Sequence, residues 1–116
     1  MLEVKLKQLL PNDVPVVIGE LPSSSTNIVA MILYNGNTNT EYFGKSTVFQ
    51  PIVKFVARHS SYEVMRSWID KIKNALHQYH DDYFLSIHLV GSPTYLGRGS
   101  TKLHEMQIVF RFEVRE

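Results

Sequence analysis

The stretch that decides the fold is Phe49-Gln50-Pro51-Ile52-Val53-Lys54-Phe55-Val56-Ala57-Arg58, which runs through His59-Ser60-Ser61-Tyr62 into a periodic segment ending at Tyr79. Its first part alternates as a strand does. Phe49, Val53, Phe55 and Ala57 fall on one parity, the expected core side, and Gln50, Lys54 and Arg58 on the other. Pro51 lacks a ladder donor and marks a bulge or an edge. Ser60 with Glu63 three residues later spells a capping box, in which each side chain bonds the other residue's backbone N–H. Met65, Trp68, Ile69, Ile72, Leu76 and Tyr79 then recur at spacings of three or four, which predicts one long helix with a single apolar stripe. Arg66, Asp70, Lys73, Asn74 and His77 fall on its solvent side.

Sheet is expected on both sides of this unit. Downstream, Asp81-Asp82 breaks the helical pattern, and Tyr83, Leu85, Ile87 and Leu89 alternate with Phe84, Ser86, His88 and Val90. Residues 91–101, rich in glycine and serine, read as a long loop. The last strand places His104, Met106, Ile108, Phe110, Phe112 and Val114 inward and the residues between them outward. Upstream, Leu2, Leu6, Leu9 and Leu10 suggest a short helix that Pro11 ends. Val14-Pro15-Val16-Val17-Ile18 is a short strand, placed at an edge or a strand start by Pro15. Ile28 to Tyr34 is apolar on both parities and is expected to be covered twice, by a helix and by either the N-terminal helix or another copy of the chain. Residues 35–47, opening on Asn35-Gly36-Asn37, read as a second long loop carrying the isolated aromatics Tyr42 and Phe43.

One helix cannot cover both faces of a sheet, so the expected class is α+β. The expected architecture is a single-layer mixed or antiparallel sheet of about four to five strands, packed against the long helix plus the short N-terminal one. The 116 residues fit one domain, 1–116. Composition is that of an ordinary globular protein, 44% hydrophobic and 20% charged. Twelve basic against eleven acidic residues leave a net charge of +1, too little to draw nucleic acid or anionic membrane by overall field. The absence of cysteine excludes disulfides, thiol catalysis and thiolate-bound zinc. Lys5 and Lys7 among the N-terminal leucines argue against a signal peptide, and no apolar run reaches the length of a membrane span. The expected location is the cytosol, with no membrane partner.

Reactive constellations are weak. His77 and His80 beside Asp81 and Asp82 have a spacing that suits a metal ion, but histidines at a helix C-terminus also suit the dipole and water, so no metal is expected. His59 beside Ser60 and Ser61 lacks the third group that would orient a base, and capping already explains a serine there. Gly97-Arg98-Gly99 precedes a strand and lacks the further glycine of a dinucleotide fingerprint. No catalytic residue and no cofactor is expected. On the noncore parity, Lys54 and Arg58 of one strand and Arg111 and Arg115 of another form a basic stripe, for which cross-strand pairing with Glu105 and Glu113 is the plainer explanation.

Four local features, in the order just read, resemble the tail terminator or minor capsid proteins of long-tailed, siphovirus-type bacteriophages. They are Leu21-Pro22 after an early strand, Val48-Phe49-Gln50 opening the next long strand, the hinge Arg58-His59-Ser60-Ser61-Tyr62, and Pro93-Thr94-Tyr95-Leu96-Gly97-Arg98 before the final strand. The resemblance spans nearly the whole chain. Gly99 stands where many relatives carry an acidic residue, so no role of that carboxylate carries over. The resemblance implies a non-enzymatic virion component, made in the host cytoplasm. It would cap the tail tube as a ring of identical subunits, commonly six, and offer a head-joining surface, with tail tube protein, head–tail connector proteins and DNA in passage as partners. A connector or stopper of the same virion is the near alternative, and a small nucleic-acid-binding module is the alternative from another class. The residues expected to carry assembly are Tyr42, Phe43, Tyr95 and Arg98 of the two long loops. Lys54, Arg58, Arg111 and Arg115 are those that would face a channel.

Overall fold

The computed structural model describes residues 2–19, 27–42, 46–98 and 102–115, and within 35–49 only the backbone. The N-terminal leucine pattern forms α1, Leu2–Leu9, which buries Leu6 and stops before Pro11. Next come β1, Val16–Ile18, β2, Ile28–Tyr42, and β3, Ser46–His59. The chain then forms α2, Tyr62–Leu76, followed by β4, Phe84–Leu89, β5, Thr94–Gly97, and β6, His104–Arg115. The six strands make one sheet in the order β1-β2-β3-β6-β4, with β5 also on β6. Only β1 runs parallel to its neighbour; the other pairs are antiparallel.

The α+β class stands, with two corrections to its parts. Among the described residues the sheet has six strands rather than four or five, because Thr94–Gly97, read as loop, make β5; other residues read as loop lengthen β2 and open β3 without adding a strand. The main helix is 15 residues and not long: it ends at Leu76, where His77 takes an extended conformation, so Tyr79 lies beyond it. The cap is also shifted by one residue. Ser61, not Ser60, is the N-cap, with its hydroxyl accepting from the Val64 N–H, while the Ser60 N–H donates to the Asn27 side chain.

Both helices contribute to a core on one face of the sheet. Met65, Ile69, Ile72 and Leu76 of α2 meet Val53, Phe55 and Ala57 of β3 and Met106, Ile108, Phe110 and Phe112 of β6, while Leu6 and Leu10 join the same cluster from the N-terminal end. The inward parities predicted for β3 and β6 hold wherever side chains are described; Phe49 lies outside them. In β4 the pattern breaks. A bulge between Phe84 and Ser86 turns Phe84 into the core, so Phe84 and Ile87 are the buried residues and Leu85 is not. Hydrogen bonds from the Tyr83 and Phe84 N–H groups to one oxygen of Asp81 fix that entry.

Of the covers expected for β2, the helical one is present on one face, and α1 is not the second. Val29 and Met31 are buried under the helical layer, which ends before the exposed Leu33; on the opposite face Ala30 is fully buried, Ile32 half-buried and Tyr34 44% exposed. Neither helix lies there, since both feed the one core cluster.

Candidate functional site

Two surfaces follow from this layout: the open face of the sheet and its two edges. On the open face, Arg58 lies directly opposite Glu105 and donates from Nε to its carboxylate at 3.1 Å. The guanidinium is 9% exposed, so this cation serves the sheet and is withdrawn from the stripe. Glu113 instead accepts a hydrogen bond from the Ser86 hydroxyl at 2.7 Å. Lys54 sets its ammonium 5.5 Å from the centre of the Tyr34 ring, a cation–π contact across the β2–β3 ladder. Arg111 is exposed, opposite Ile52 on one side and His88 on the other, and Arg115 is exposed near the end of β6. Among the described residues neither forms an ion pair. On this face the cations outside an ion pair among the described residues are Lys54, Arg111 and Arg115.

At the end of the sheet near the start of α2 lies an aromatic cluster. Tyr95 of β5 sits opposite Met106, and its hydroxyl meets Nδ1 of His104 at 2.8 Å. Tyr62, the first residue of α2, sets its ring edge-on to Tyr95 at 5.6 Å and to His104 at 5.8 Å. His59 is directly opposite His104 and stands edge-on to Trp68 at 4.9 Å. Its Nδ1 accepts the Ser61 N–H at 2.8 Å, and burial holds the ring's pKa below the ordinary histidine value. Tyr62, Tyr95 and Leu96 remain 41–47% exposed, an apolar surface that Arg98, also exposed, adjoins in sequence.

The four residues expected to carry assembly do not form one patch. Tyr95 and Arg98 are together at this end, whereas Tyr42 is the last residue of β2. Tyr95 is level with Val29 through Met106 and Ala57, so Tyr42 lies thirteen positions further along, roughly 40 Å at about 3.3 Å per residue. Phe43 lies outside the described residues. Leu96 falls in the long loop expected to carry assembly without being singled out there, whereas Tyr62 lies outside it; a lone tyrosine at a hinge gives no periodic signal.

No group of three metal-ligating side chains is assembled among the described residues. At the proposed metal spacing, Asp81 is already committed. One oxygen holds the two N–H groups of the β4 entry and the other accepts the Tyr79 hydroxyl at 2.8 Å, contacts that, with the Phe84 N–H foremost, lower its pKa. Among the described residues no helix is long and apolar enough to cross a membrane.

An α+β sheet with helices on one face and open edges defines a class by fold rather than by chemistry. No family model matches the chain, and no curated protein matches it in sequence. Among solved structures, it is similar to a chain of the virion of a native gene transfer agent particle. The TM-score is 0.53 over 96% of this chain and 84% of that chain, at 12% identity. The two share a fold along nearly their whole lengths.

Proposed function

We propose that the protein is a structural subunit of a phage-like virion that caps the tail tube as a ring of identical copies and presents a surface to the head. The observation that carries this reading is the fold held in common with a virion chain over nearly all of both molecules. The open sheet face and the exposed aromatic end supply surface for like neighbours. The proposal assigns the chain a place in the virion and no reaction. A connector between portal and tail would use the same surfaces and is the variant within this reading.

The test is the mass of the purified protein in solution, alone and with tail tubes, with electron microscopy of the mixture. A ring at tube ends supports the terminator role, and binding to portal-bearing heads in preference to tubes moves the protein to the connector. A nucleic-acid-binding module is favoured by one observation only, the three cations on the open face. Salt-sensitive DNA binding by the free chain that disappears when Arg111 and Arg115 become glutamine would make it the primary reading.

A further inference from the structure

We infer that residues 32–42 of β2 in one copy pair, antiparallel, with β5 of the next copy, so that the sheet continues from subunit to subunit. This rests on the self-association just proposed and names its geometry.

The two edges of the sheet are not alike. β1 lies beside β2 only at Val29, Ala30 and Met31, and the Gly19 N–H to the Met31 carbonyl closes that short parallel pair. Beyond it, no described strand lies along the outer side of residues 32–42. Natural edges are guarded by lysine, proline or interrupted pairing. This segment has no lysine, no proline and one charge, Glu41; its pairing with β3 is interrupted between Tyr34 and Asn37 and again between Asn39 and Tyr42, so Ile32 to Tyr34 is its regular open stretch. On the other side of the sheet β4 is guarded, because the link from α2 lies against it: the Gln78 N–H donates to the Ile87 carbonyl and the Asp81 N–H to the Phe84 carbonyl. That leaves β5, whose outer side no described strand covers and whose Tyr95 and Leu96 are exposed. The edges that no described strand covers are thus two different strands at opposite sides of one sheet, which is the arrangement a head-to-tail ring requires.

Direction and level agree. Each step β2–β3, β3–β6 and β6–β5 is antiparallel, so β5 runs opposite to β2 and would meet the next copy's β2 antiparallel. Within its own sheet, β5 is level with the start of β2, Thr94 with Ala30 and Gly97 with Ile28, where β1 already sits. Closing strands into a ring tilts them by about 35–45°, and crossing a repeat of β2, β3, β6 and β5 then shifts the level by about four to six residues. The β3–α2–β4 crossover passes over β6, and such crossovers are right-handed. With the helices outside, the right-handed strand twist moves the neighbour's β5 towards the C-terminal end of β2, onto residues 32–36. The open face, with Lys54, Arg111 and Arg115, then lines the inside of the ring.

The chain contains no cysteine, which makes the test clean. Tyr34 and Thr94 are exposed, and the shift brings Thr94 opposite residues 34–36 of the next copy. The double variant Tyr34→Cys, Thr94→Cys, treated with a short bismaleimide, should give a ladder of multimers on a denaturing gel, and neither single variant should cross-link. In that background Leu33→Pro should abolish the ladder and Leu33→Ala should keep it. Val29 and Met31 bond towards β1, so the Leu33 N–H points to the same free side. Dimers from Tyr34→Cys alone, or an uncross-linked double variant whose mass in solution is that of an oligomer, would overturn the pairing and leave the self-association reading standing. A double variant and a wild-type chain that both stay monomeric, with and without tail tubes, would overturn both.

Discussion

At the scale of single residues, the hinge between β3 and α2 decides more than its sequence announces. Two serines compete for one cap, and His59 settles the matter by accepting the Ser61 N–H, which turns the Ser61 hydroxyl towards Val64. Ser61→Ala should therefore cost about 1 kcal/mol of stability, and Ser60→Ala within about 0.5 kcal/mol of nothing, as read from urea midpoints. His59 adds a pH dependence. Burial favours its neutral ring, so between the folded value and about pH 6.5 the unfolded chain binds more protons than the folded one. The contribution is complete above about pH 6.5 and is lost as pH falls through the folded value. The urea midpoint should drop on acidification through this window in the wild type and drop less in His59→Gln. Arg58 and Glu105 make a second local claim. Glu105→Ala leaves a guanidinium that is 9% exposed without this carboxylate and should destabilise by about 2 kcal/mol. Arg58→Met with Glu105→Leu should recover part of that loss, as double-mutant unfolding curves would show.

At the scale of elements, α2 is held by its stripe. Ile69→Ala empties a fully buried site and should cost about 2–5 kcal/mol, whereas Val64→Ala, at a position 38% exposed, should leave the unfolding midpoint nearly unchanged. This stripe, the inward parity of β6 and the stop at Pro11 were legible because each rests on local periodicity or on proline's missing donor. What was not legible depends on partners distant in sequence. Asn35-Gly36-Asn37 reads as a turn, yet the chain continues as strand because β3 supplies a ladder opposite Asn37, Thr38 and Asn39, with a register shift absorbing the glycine. Thr94 to Gly97 reads as loop and becomes β5 only because β6 extends past the end of β4. Phe84 lies on the parity opposite Tyr83, Leu85, Ile87 and Leu89 and yet is buried, because Asp81 holds a bulge that strict alternation cannot anticipate. The candidate site was half visible: Tyr95 and Arg98 were named, but their neighbour Tyr62 is 33 positions from Tyr95 and gives no signal of its own.

At the scale of the whole molecule, the distribution of buried and open surface is lopsided. The main core cluster lies between the helices and one sheet face, while the other face buries little beyond Ala30, Val56 and Arg58, leaving an apolar and basic surface and two open edges for something outside the chain. For a ring subunit this is the expected economy, with helices towards solvent and the sheet shared between neighbours. The most direct measurement is sedimentation of the purified protein over a range of concentrations, alone and with tail tubes. The account predicts a single closed multimer that forms with concentration or at tube ends. A monomer at every concentration, with no affinity for tubes, would contradict it.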